Sequence, residues 1–152
     1  MTTIAIDPGQ SGGIAVKMGD SPLDYAIAMP ETEGDVLSTL RDIWRNSDGV
    51  ALAVIEQVGG YIGGKGAPGS AMFNFGRNYG FLLGCLQTLG YRVELVTPQK
   101  WQKALGLGTS NGDKKAWKNK LKARAQQLYP HLKVTLNTAD ALLILDYAKR
   151  AK

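Results

Sequence analysis

The chain is poor in the residues that build thiol, redox and zinc sites. It has one cysteine, Cys85, and one histidine, His131. A lone cysteine closes no internal disulfide, and without a Cys/His cluster there is no zinc ligand set. One histidine makes a His-centred triad improbable, and neither residue is given a role. Long apolar runs are scarce as well. The strongest, Phe81 to Leu86, is interrupted by Gly84 and falls far short of the ~20 residues of a membrane span. The opening Met1-Thr-Thr-Ile-Ala-Ile-Asp7 has no basic stretch, so it does not read as a signal peptide. What is present is globular: 44% hydrophobic and 20% charged residues in a chain of 152. The expectation is a single domain over 1–152, cytoplasmic, without membrane contact.

Charge is unevenly placed. Residues 1–90 carry five basic and nine acidic side chains, whereas residues 91–152 carry thirteen basic and four acidic ones. A basic half suggests a polyanionic partner, although a lysine-rich solvated helix reads equally well from charge alone.

Local patterns give an α/β order. Thr3 to Asp7 and Gly13 to Lys17 read as a strand pair around the turn residues Pro8 to Gly12, with Gly9, Gly12 and Gly13 permitting a tight hairpin. Tyr25 to Met29 is a third strand. Asp35 to Arg45 has helical spacing, Val50 to Glu56 is an apolar strand, and Ser70 is a candidate cap for a helix ending at Leu89 before Gly90. Arg92 to Val96 is a fifth strand. A basic helix runs from Asp113 to Leu128, and Thr138 is a candidate cap for a last helix from Ala139 to Lys149. This order predicts an α/β fold with a five-stranded mixed sheet flanked by helices.

Acids stand where apolar strands end: Asp7 after Ile-Ala-Ile, Glu56 after Ala-Leu-Ala-Val-Ile. A carboxylate beside a core strand is costly unless paired or bound to metal. Asp140 lies near the start of an apolar helix. Each alone reads as a turn former, a strand-end acid or a first-turn acid. Together, and without His or Cys, they suit Mg²⁺, with Mn²⁺ as a substitute. Beside a basic surface they suit metal-assisted phosphodiester chemistry. Spacing does not establish that they converge.

Ile6-Asp-Pro-Gly-Gln-Ser-Gly-Gly13, Val54-Ile-Glu-Gln-Val58 and Thr138-Ala-Asp-Ala-Leu142, with Ser70 to Gly80, Val96-Thr-Pro-Gln-Lys-Trp101, Gly108 and Lys114 between them, resemble in order and separation the RuvC-like Holliday junction resolvases of the RNase H-like superfamily. The resemblance runs from about Thr3 to Ala148. The short length and the Pro-x-x-Trp segment look more like phage or prophage members. It implies an RNase H-like fold, Mg²⁺-dependent cleavage of four-way DNA junctions by paired nicks, and a homodimer. It makes Asp7, Glu56 and Asp140 metal ligands and Lys114 a helper at the scissile phosphate. The usual fourth ligand falls on Asn137, whose neutral amide would bind a second metal more weakly. Asp146, about 240° around the helix from Asp140, reads as surface or structural.

Other residues carry two readings each. Gly76, Gly80 and Gly84 invite close approach, either of the domain's own sheet or of a second copy. Arg77, on the same helix, is assigned to phosphate or to a partner subunit. Tyr61 or Ile62 in the glycine-rich loop suits a wedge at a branch point, with Lys65 on phosphate; the alternative is an exposed loop without a wedge. Lys114, Lys118 and Lys122, with Lys115 nearby, flank an apolar stripe of Trp117, Leu121 and Leu128 and suit sequence-independent backbone contacts. Trp101 reads as packing rather than base stacking. The Asp-x-Gly-x-Ser-Gly pattern also opens the ATP-binding fold of sugar kinases, but that fold needs two such lobes, so no nucleotide cofactor is expected. A broader branched-DNA, flap or fork nuclease and a non-catalytic branched-DNA-binding module are the competing functions.

Overall fold

A computed structural model describes residues 1–59 and 69–151. The strands are β1 (Thr2–Asp7), β2 (Gly13–Lys17), β3 (Tyr25–Ala28), β4 (Ala51–Glu56) and β5 (Arg92–Val96). The helices are α1 (Glu33–Arg45), α2 (Gly69–Leu89), α3 (Pro98–Ala104), α4 (Lys114–Leu128) and α5 (Leu136–Arg150). The strands form one sheet in the order β3-β2-β1-β4-β5. The β1–β2 and β2–β3 pairs are antiparallel and the β1–β4 and β4–β5 pairs parallel, so the expected mixed sheet of five strands is present.

Period-two alternation divides the apolar strands between two cores. Ile4, Ile6, Ile14, Val16, Ala53 and Ile55 face α1 and α2. Ala5, Ala15, Leu52 and Val54 face α3, α4 and α5. The small side chains Ala5 and Ala15 leave room for α5, whose Leu142, Leu143, Ile144 and Leu145 are all fully buried. A helix buried all round belongs at the centre of the second layer.

Helix ends follow local chemistry, with three departures from the sequence expectation. Asp113 caps α4 through the Ala116 N–H at 3.0 Å, and Gly90, at φ +100°, ends α2. Helix α5 starts a turn earlier than expected. Thr135 is its cap, and Thr138 is the third helical residue, its hydroxyl accepting from the Thr135 N–H in a capping box. Ser70 lies inside α2 rather than capping it. The short α3 is absent from the sequence expectation, although Thr97 at its cap and Pro98 at its first position are ordinary start signals. Among the described residues no helix is long and apolar enough to cross a membrane.

Gly13 sets how closely α5 approaches the sheet. A Cβ there would run into the Asn137 carbonyl oxygen and lie 2.9 Å from the Ile27 carbonyl oxygen. Both obstacles are backbone, so neither side can yield cheaply. Gly13→Ala is expected to destabilise by about 1–3 kcal/mol, the usual range for overpacking, read as a lower Tm. An unchanged Tm would show that α5 does not rest on this glycine.

Candidate functional site

Strand register explains why two of the acids meet. In the parallel β1–β4 pair Ile6 stands opposite Ile55, and both face the α1–α2 layer. The next residue of each strand, Asp7 and Glu56, therefore turns to the opposite face, toward α5. Across the β1–β2 ladder Asp7 pairs with Gly13, on which the first turn of α5 rests. Asp140, one turn further along α5, is thereby brought to the same end of the sheet.

Electrostatics record this meeting. Burial raises the Asp7 carboxyl well above the usual carboxylate range, and Asp140 and Glu56 push it further. Burial lifts Glu56 to about 7; the Trp101 hydrogen bond opposes the rise and Asp140 adds to it. Burial lifts Asp140 to about 6. Lys118 of α4 is close enough to lower both Asp7 and Asp140.

Asp7 borders two cavities. One, of about 460 Å³, is lined by Asp7, Asp140, Lys118, Gln10 and Asn78. The other, of about 570 Å³, is lined by Asp7, Glu56, Gln57, Phe75 and Thr97. Helix α2 forms one wall of both and is docked on the turn after Asp7. The Asn78 Oδ1 accepts from the Gly9 N–H at 2.8 Å, and the Phe75 ring packs against Gly9, which has φ +104°.

The three half-buried carboxylates have one cation, Lys118, acting on Asp7 and Asp140, and an all-oxygen donor set fits a hard divalent cation. As placed, however, no three His, Cys, Asp or Glu side chains among the described residues are grouped tightly enough to hold an ion. The Glu56 Oε2 accepts a hydrogen bond from the Trp101 Nε1–H at 2.8 Å, and Glu56 also lines the cavity it shares with Asp7.

The remaining sequence candidates scatter. Asn137 does not line either cavity; its amide donates to the Ser11 carbonyl at 3.1 Å and ties α5 to the hairpin. Lys114 and Lys115 are exposed at the start of α4 and Lys122 is half-buried; of the α4 lysines it is Lys118 that lines the cavity with Asp7 and Asp140 and lowers both acids. Arg77 pairs with Glu33 at 2.6 Å on an exposed surface. Asp146 pairs with Arg150 at 2.7 Å, in keeping with a structural role. Cys85 is buried, and His131 Nε2 meets the Asp24 carbonyl at 2.9 Å. Tyr61, Ile62 and Lys65 lie outside the described residues. Among the described residues, a Cβ on Gly76, Gly80 or Gly84 would meet nothing within 4 Å, so the domain's own sheet does not explain this stripe.

Sequence reasoning misses two contributors. Trp101 packs as expected, fully buried, but its N–H also holds Glu56. Asn78 fixes the turn beside Asp7. The Thr97-Pro98 helix start is the available signal for the first; nothing local marks the second.

Neither a family model nor a curated protein matches the sequence. Solved structures do match. A Thermus thermophilus RuvC structure is 14% identical with a TM-score of 0.59. Thermus thermophilus RuvC in complex with a Holliday junction substrate is 14% identical with a TM-score of 0.62. In both, the match covers 99% of this chain and 96% of the other. At that identity the likeness is one of architecture, and the chain has the RuvC-type, RNase H-like fold.

Proposed function

We propose that this protein is a divalent-metal-dependent endonuclease that acts on branched DNA and resolves four-way junctions by paired symmetric nicks. The observation that carries the reading is the meeting of Asp7, Glu56 and Asp140 at one end of the sheet, beside Lys118 of a basic helix, in a fold shared with a RuvC structure described with a Holliday junction. Asp7, Glu56 and Asp140 would hold Mg²⁺ or Mn²⁺, with Asn137 as a weak further contact after a change of side-chain orientation. Such an ion supplies Lewis acidity and a water of lowered pKa.

The chain's own groups supply the rest. Lys118, in the cavity with Asp7 and Asp140, offsets phosphate charge and holds the strand against the acids. Lys114, Lys115 and Lys122 follow the backbone along α4 without reading bases. Lys114 adds a cation at the scissile phosphate, and Arg77 adds one on α2. Of the residues outside the described ones, Tyr61 would stack at the branch point and Lys65 would bind phosphate. The exposed glycine stripe of α2, with Phe73 69% exposed at its head, supports a two-fold dimer able to make paired nicks.

One observation favours a second reading. The acids as placed do not close around an ion, which suits a binding module without catalysis. Labelled four-way, three-way and linear duplexes incubated with and without Mg²⁺ separate the cases. The expected result is Mg²⁺-dependent nicking of the four-way junction at symmetric positions, leaving 5′-phosphates that a ligase reseals. Equal cutting of three-way junctions or flaps would mean a broader branched-DNA nuclease. Junction binding without cutting in Mg²⁺ or Mn²⁺ would mean a binding module.

A further inference from the structure

Trp101 lies entirely inside the α3–α4–α5 core. Packing alone would account for a buried ring, but not for where its one polar atom points. A buried indole N–H requires an acceptor, and here the acceptor is a carboxylate oxygen of Glu56, 2.8 Å away and 45 residues distant in sequence.

The backbone fixes this meeting. Glu56 ends β4 in register with Val96, the last residue of β5, and the Gln57 N–H donates to the Val96 carbonyl at 2.7 Å. The chain turns at Thr97, whose side chain caps α3. One turn of α3 then carries Trp101 back over Glu56. Sheet register, cap and helix rise together leave the indole little freedom. Glu56 in turn lines the cavity that it shares with Asp7.

We infer that Trp101 is a positioning residue, whose indole N–H orients the Glu56 carboxylate so that its remaining lone pairs face the Asp7 cavity and meet a divalent cation there. The inference rests on the metal reading above. It assigns Trp101 no contact with substrate or ion; the residue acts through Glu56 alone.

The test uses the full chain without DNA, with Mg²⁺ and Mn²⁺ as probes. Trp101→Phe keeps an aromatic ring and removes the donor. Removing such an outer partner is expected to weaken Mn²⁺ binding, measured by calorimetry, by about tenfold. Val134→Ala removes volume from the same core cluster without touching Glu56. It is expected to lower Tm and leave Mn²⁺ affinity unchanged, which distinguishes positioning from packing. The three tryptophans give three indole N–H signals in ¹H–¹⁵N spectra, and Trp101→Phe identifies its own by loss. That signal is expected to move on Glu56→Gln without any ion, and to move with Mg²⁺ in the unmodified chain while the Trp44 signal stays. If backbone amides of Asp7 and Asp140 respond to Mg²⁺ but Trp101→Phe binds Mn²⁺ as tightly as the unmodified chain, the inference fails alone. If no amide near the acids responds to either ion, the metal reading fails and takes the inference with it.

Discussion

Asp7→Asn is expected to abolish junction cleavage, by about 10³-fold or more, equivalent to about 4 kcal/mol of transition-state stabilisation. The substitution keeps the side chain's shape and one oxygen, and removes the charge that a divalent cation needs. Asp7 is the acid to choose because it alone borders both cavities and is raised by both other acids. Loss of folding would not explain the result. Ionising Asp7 in the folded state is unfavourable, because burial and two like charges oppose it. A neutral amide relieves that strain, so Tm should hold or rise. Junction binding should also persist or tighten, since one negative charge leaves the surface that meets phosphate while the α4 lysines stay. The measurement is single-turnover cleavage of a labelled four-way junction in Mg²⁺, with a gel-shift titration in Ca²⁺ beside it. Normal cleavage by the variant would remove Asp7 from the chemistry and with it the proposed function.

The sheet is legible because its signals are local. The continuously buried apolar runs of β1, β2 and β4, the turn residues at Gly9 to Gly13 and the left-handed Gly90 each act within a few residues. The last helix shows where such signals run out. Thr135 and Thr138 are equally good caps by composition. Nothing local separates them, and the added turn brings in Leu136, which is 53% exposed. Helix α3 spans seven residues, too few for periodicity to speak. The site is legible only in its acids. Two apolar strands that each end in a carboxylate are visible in sequence, but their convergence depends on the Ile6–Ile55 register and on α5 resting on Gly13, which are properties of pairing and packing. The lysine repeat on α4 marks a basic flank without saying which member abuts the acids; that depends on how α4 lies against α5. The Trp101–Glu56 bond is nonlocal: Thr97 and Pro98 announce the helix that carries Trp101, and nothing in either segment announces its acceptor.

The same desolvated carboxylates make stability depend on pH in an unusual direction. Glu56 is raised from an ordinary 4.5 to about 7 and Asp140 from 3.8 to about 6, chiefly by burial, and Asp7 is raised as well. In this window the folded state binds more protons than the unfolded one, so stability falls as pH rises. The contribution is fully present below the ordinary carboxylate values and is lost as pH climbs through the folded values near 6 and 7. Glu56→Gln isolates the effect. The amide that this substitution introduces retains an oxygen for the Trp101 N–H and does not ionise. In metal-free buffer the variant should match the unmodified chain near pH 4 and exceed it near pH 8 by roughly 3 kcal/mol, the free energy of moving one carboxyl across that range. Saturating Mg²⁺ should shrink or reverse the difference at pH 8, because a cation stabilises the ionised carboxylate only in the unmodified chain. The check is chemical denaturation of both proteins from about pH 4 to about pH 8, with Mg²⁺ or with chelator. A difference that stays flat across this range would mean that Glu56 is solvated in the folded protein. The buried acidic pocket on which the proposed chemistry depends would then not exist.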